Sequence, residues 1–135
     1  MNTRYFLNQV MGNLFHTKEN PSLPTQYYIG LSATEPTYDG DYSGEPTSNG
    51  TGYERVLLSD LSEPVDGVIK NTAVINFNES LTDWGRMEYY TVFDALEGGN
   101  LLFYGELSMS RSVEPNTVIT IKTGELSIQL SNQQS

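Results

Sequence analysis

No cysteine occurs in the 135 residues, so neither a disulfide framework nor a thiolate metal site can form. His16 is the only histidine and lies at an expected helix end, which argues against histidine catalysis, and no second histidine or cysteine joins it to build a zinc centre. Cations are scarce: 7 Lys and Arg stand against 17 Asp and Glu, for a formal charge of −10. The basic clusters that grip a phosphate backbone are missing, so nucleic acid is not an expected partner. Long hydrophobic runs are missing too. No stretch approaches the roughly 20 apolar residues of a membrane span. Near the start, Asn8, Gln9, Gly12 and Asn13 interrupt any signal-peptide core, and no small-residue cleavage site follows. The nearest approach to a phosphate loop, Gly50-Thr51-Gly52, lacks the lysine and the helix that such a loop needs. No cofactor is expected.

What is present reads as one short helix followed by β structure. From residue 3 to 16, Phe6, Val10 and Leu14 recur every fourth position. Leu7, Met11 and Phe15 do the same one step round, giving a broad apolar stripe. Asn2 or Thr3 is placed to cap the start, His16 lies at the end, and Pro21 and Pro24 forbid continuation. The pattern divides the chain into an N-terminal amphipathic helix, 1–20, and one β domain, 21–135. The helix either packs on its own sheet or docks on a neighbouring subunit.

Strands are expected at 25–32, 53–59, 69–77, 86–94, 100–108, 117–123 and 125–131, with turn residues between them. Gly124 supplies a positive-φ residue between the last two. The fold class is therefore mainly β: an antiparallel sandwich of about seven to eight strands with a short N-terminal helix. The expected core is Tyr28, Ile29, Leu31, Val56, Leu58, Val74, Ile75, Phe77, Trp84, Tyr90, Val92, Phe93, Leu102, Tyr104, Leu107, Ile119, Ile121, Leu126, Ile128 and Leu130. Both faces of each strand cannot be equally buried, so this list is too generous. Residues 33–52 form a long acidic loop, and the polar tail from Ser131 to Ser135 suits a frayed end.

Few constellations carry chemistry. Asp39, Asp41 and Glu45 resemble the first half of a calcium loop, but the position that should hold a bidentate carboxylate is Gly50. A hydrated acidic loop explains them better. Asp83, Glu88 and Asp94 are the nearest carboxylate group to a glycosidase pair, and turn placement accounts for them. Trp84-Gly85 is either a corner covering the core or an exposed aromatic that anchors an interface. The interface candidates are Phe6, Val10, Leu14, Tyr38, Tyr42 and Trp84.

A set of motifs runs through the chain in order. Tyr28-Ile29-Gly30-Leu31-Ser32 comes first, then Pro36, then Glu45-Pro46, then Gly52-Tyr53 with Arg55-Val56. Asn71 and Ile75-Asn76-Phe77 follow, then Trp84-Gly85 and Phe93-Asp94-Ala95. A turn Gly98-Gly99-Asn100 leads into Leu101-Leu102, Tyr104-Gly105 and Leu107, and Gly124 opens a closing run with Leu126, Ile128 and Leu130. This ordered set resembles a family of small structural proteins of tailed-bacteriophage virions, often labelled tail-fibre or minor structural proteins. The acidic loop and Arg86-Met87-Glu88 depart from its usual pattern. The resemblance implies a virion location and a non-enzymatic role in assembly. The partners it implies are other virion proteins, in capsid or tail, or further copies of the chain, and neither nucleic acid nor membrane. A small shaftless subunit leans toward capsid decoration over the tail. The alternative is a host-recognition module that binds surface glycan through Tyr38, Tyr42 and Trp84.

Overall fold

The computed structural model describes residues 1–16 and 23–130. Its elements are α1 (Arg4–Phe15), β1 (Tyr28–Ser32), β2 (Val56–Leu57), β3 (Val68–Lys70), β4 (Ile75–Asn76), β5 (Gly85–Phe93), β6 (Leu101–Val113), β7 (Thr120–Ile121) and β8 (Ser127–Gln129). The fold is mainly β with one short N-terminal helix, and all eight strands pair antiparallel. Among the described residues no helix is long and apolar enough to cross a membrane. The expected frayed tail lies outside the described residues.

The main sheet has the order β2-β1-β5-β6. Its spine is the β5–β6 hairpin, with Val92 opposite Phe103 and Gly85 opposite Val113. The turn works through one side chain: Asp94 accepts from the Asn100 backbone N–H at 2.8 Å and from its Nδ2 at 3.1 Å. β6 runs further than its apolar pattern suggested, to Val113 rather than Ser108. It does so through a wide bulge, in which the pairing jumps from Met87–Arg111 to Tyr89–Glu106. The bulge puts Met87, Tyr90 and Val92 on the same buried side, which strict alternation cannot do. That is why Met87, fully buried, was missing from the expected core.

The remaining strands form two separate two-stranded ladders, β3–β8 and β4–β7. A single strand over 69–77 was expected; it breaks at Asn71. The Asn71 side chain is buried and saturated. Its Nδ2 donates to the carbonyls of Ala73 (2.8 Å) and Lys122 (3.0 Å). Its Oδ1 accepts from the N–H groups of Gly124 and Leu126, both at 3.0 Å. One amide thus ties the β3–β4 corner to the β7–β8 corner, where Gly124 has φ +83° as its turn role demands.

Both ladders and the main sheet share one core, built on Ile29, Leu31, Tyr53, Phe77, Trp84, Tyr90, Val92, Phe103, Ile119, Ile121 and Leu126. Two expected members are corrected. Val74 is 54% exposed and Leu130 58% exposed. Val74 points away because Ile75 and Phe77, two residues apart, share the inward side of the pleat and leave Val74 on the outward one, and Leu130 lies beyond the last paired residue, Gln129. Tyr28, Val56, Leu58, Ile75, Leu107 and Ile128 are only partly buried. Tyr53, Leu101, Phe103 and Val113 are buried and were not anticipated. A second cluster of Phe93, Leu101 and Tyr104, flanked by Met1 and Tyr42, lines the other side of the sheet.

Two of the buried tyrosines, Tyr53 and Tyr90, should make the fold sensitive to alkaline pH. Tyr53 donates to Glu45 Oε2 at 2.6 Å, and burial, with the Glu45 charge second, pushes its hydroxyl far above the ordinary tyrosine value. Tyr90 donates to the Ser127 carbonyl at 3.0 Å and is pushed by burial up to about 12. In the unfolded chain both ionise near pH 10. Their contribution to stability is therefore full below pH 10 and declines as pH rises above it. Absorbance at 295 nm followed with circular dichroism should show these two of the nine tyrosines ionising only as the fold is lost. Complete titration near pH 10 with the fold intact would contradict their burial.

Candidate assembly surface

The helix is hung on the body by its first residues. Asn2 forms an antiparallel bridge with Phe103, Thr3 N–H donates to the Leu102 carbonyl at 3.0 Å, and Tyr104 N–H donates to the Met1 carbonyl at 2.9 Å. Residues 1–3 thereby extend the main sheet past the free edge of β6. Thr3 has two tasks. Its Oγ1 donates to the Leu101 carbonyl at 2.7 Å and accepts from Phe6 N–H at 3.3 Å, so the N-cap is also the anchor. At the other end, His16 N–H closes the last turn on the Gly12 carbonyl at 2.8 Å.

Beyond that anchor the helix buries none of its residues. Phe6, Leu7 and Val10 are half-buried, but Met11 is 55%, Leu14 63% and Phe15 78% exposed. Isolated helices of 12 residues are marginal in water, so a helix this short is stabilised chiefly by what packs on it. Of the expected interface residues, Leu14 is presented to solvent and Phe6 and Val10 are partly covered. Met11 and Phe15 belong to the same surface and were not singled out. The signal was available in the second four-residue series, Leu7, Met11 and Phe15.

The three aromatic candidates behave differently. The Tyr38 ring lies under the Arg4 guanidinium at 4.8 Å, and its carbonyl accepts from Arg4 N–H at 2.9 Å. Tyr42 packs edge-on against Phe93, with ring centroids 4.8 Å apart. Trp84 takes the first of its two expected roles, as a member of the core: it is 8% exposed, perpendicular to Tyr53 at 5.3 Å, and donates from Nε1 to the Thr51 carbonyl at 2.9 Å. It is a core corner, not an exposed docking group. The structure therefore does not bring Tyr38, Tyr42 and Trp84 to one sugar-binding surface.

The acidic loop is a cover for the sheet, held by a buried ion pair. Arg55, 5% exposed, grips Glu45 bidentately: Nε to Oε2 and Nη2 to Oε1, each 2.8 Å. Its Nη1 donates to the carbonyls of Ala95 (2.9 Å) and Gly98 (2.8 Å) in the β5–β6 turn. The guanidinium carbon lies 3.4 Å from the Phe93 ring centroid. The fork of donors uses both carboxylate oxygens and two turn carbonyls at once, which a lysine cannot do. Gly30 is glycine because this lid presses on it. A Cβ there would lie 2.6 Å from the Tyr53 hydroxyl, 2.8 Å from Thr91 Oγ1 and 3.0 Å from Glu45 Oε2.

The three weak calcium candidates are separated by these commitments. Asp39 pairs with Arg4 at 2.9 Å, Asp41 accepts from Ser43 N–H at 3.0 Å, and Glu45 is held by Arg55 and Tyr53. Among the described residues no group of three or more acidic or histidine side chains converges. Asp83 accepts from Gly85 N–H and Asp94 ties the hairpin turn, so those carboxylates serve turns.

Residues 2–129, from the sheet-edge anchor to the end of β8, match the family model described as podophage GP4 fiber I protein gp80. No curated protein matches the chain.

Proposed function

The chain belongs to the podophage GP4 fiber I protein gp80 family and is a phage virion structural component; from that footing we propose that it is a non-enzymatic fibre subunit assembled through its N-terminal helix. One observation carries this reading: an amphipathic helix, tethered to the sheet edge, whose Met11, Leu14 and Phe15 present an exposed apolar surface. The family's description as a fibre protein favours the tail over the capsid decoration toward which the small shaftless build leaned. The buried Trp84 and the packed Tyr42 remove the main support for a glycan-binding surface. The −10 charge keeps the free subunit soluble while its apolar helix face is uncovered.

The test is incorporation. Phage carrying Met11→Asp or Leu14→Asp should release particles depleted of this subunit, measured by mass spectrometry of purified virions. The purified variants should keep the melting temperature of the parent within a degree or two, because both side chains are exposed. Particles that incorporate the variants at parental copy number would overturn the proposal. Immunogold labelling of parental particles tests the position, with label on the fibres expected and label over the head contradicting it.

A further inference from the structure

We propose that the surface covering this helix is the same helix of other copies of the chain. The inference rests on the assembly reading above and names its occupant. Leu7, Met11 and Leu14 are spaced by four and three residues, the seam of helices that pack side by side. Leu7 is half-buried, while Met11 and Leu14 are exposed, and Phe15 flanks the seam at 78% exposure.

Charge distribution selects a copy as the occupant. A symmetric contact sets the same patch of two copies face to face, so a patch of one sign throughout meets that sign. On a chain of charge −10 most of the surface is unfit for that. Residues 1–16 hold no Asp or Glu, and all 17 acids lie beyond them. The one formally charged side chain of the helix, Arg4, is already paired with Asp39. The helix is thus the neutral apolar element of an acidic molecule, and it is the place where copies meet without repulsion. The anchor at residues 1–3 fixes the start of the helix to the β6 edge, and Met11, Leu14 and Phe15 toward its other end are exposed.

The area is small. A pair of 12-residue helices buries less than the roughly 1,200 Å² of a stable interface, so association is weak in dilute solution. It becomes strong where copies are held side by side in a particle. Because acidic bodies repel and the seam is apolar, added salt should tighten association rather than loosen it.

Sedimentation equilibrium of the full chain, loaded at about 0.5 mM to reach weak affinities, is the first experiment. The expected result is a mass above the 15.1 kDa monomer that rises from low to physiological salt. Leu14→Asp should sediment as monomer. Met109→Asp, at an equally exposed apolar residue on the β6 bulge, should associate like the parent. A second variant guards against misfolding. The chain has no cysteine, so Leu14→Cys places its sole thiol on the seam. Mild oxidation should give a disulfide-linked dimer, and Met109→Cys should not. A parent that is monomeric at that concentration, with Leu14→Cys failing to cross-link, overturns the inference. If Leu14→Asp nevertheless blocks incorporation into virions, the assembly reading survives and only the identity of the occupant falls. Association that persists in Leu14→Asp, or is lost equally in Met109→Asp, also overturns it.

Discussion

Arg55→Ala should destabilise the chain by about 3–5 kcal/mol, the usual effect of removing one partner from a buried ion pair. Glu45, whose side chain is 12% exposed, would keep among the described residues the Tyr53 hydroxyl as its side-chain partner. The Ala95 and Gly98 carbonyls would lose their donor, and Phe93 its stacked guanidinium. Natural domains are stable by roughly 5–15 kcal/mol in all, so the change removes a large share. Thermal melting followed by circular dichroism should show the midpoint falling by roughly 10–15 °C. Arg55→Lys should recover only part, because an ammonium cannot reach both carboxylate oxygens and two carbonyls together. The paired change Arg55→Met with Glu45→Gln should be less harmful than Arg55→Ala, since it leaves no uncompensated charge. A midpoint shift of only a degree or two in Arg55→Ala would mean that the loop is not held in this way.

Trp84→Ala should cost about 3–5 kcal/mol through the cavity it leaves. The indole sits between Tyr53 and the rest of the core and covers the corner where the chain enters β5. Trp84→Phe should cost about 1–2 kcal/mol, because the Thr51 carbonyl loses the indole N–H but still accepts from Leu81 N–H at 2.9 Å. Trp84 is the only tryptophan, so its fluorescence reports directly: emission should be blue-shifted in the folded chain and move red on unfolding. A docking aromatic would show the opposite pattern, with exposed emission, unchanged stability after substitution and a loss of binding alone.

Much of the architecture was readable from local pattern. The helix ends were set by Thr3 and His16, and the hairpin by the Gly98-Gly99-Asn100 turn. The alternation over 117–123 correctly put Ile119 and Ile121 inward and Val118 outward. Two of the failures share a cause: a feature that changes the parity or direction of a strand without an apolar signal. The β6 bulge hid Met87 and extended the strand, and Asn71 broke an apparently continuous run by bonding across to the last corner. The site was legible to a similar depth. The apolar helix stripe is plain from spacing, whereas the division between its covered and uncovered members depends on how residues 1–3 hang it on β6. Trp84 was expected both in the core and at an interface, and only its surroundings decided for the core.

Composition and spacing alone determined the class of molecule: an acidic, cysteine-free β protein with one amphipathic helix, unsuited to thiolate or histidine chemistry. They could do so because charge balance, turn residues and hydrophobic period act over a few residues at a time. Tertiary structure decided the rest. It made the acidic loop a cover clamped by Glu45 and Arg55, turned Trp84 inward, and left Met11, Leu14 and Phe15 of the helix exposed. Those outcomes depend on partners distant in the chain, Arg55 reaching the turn at Gly98 and Thr3 reaching Leu101, and no local pattern encodes such a meeting.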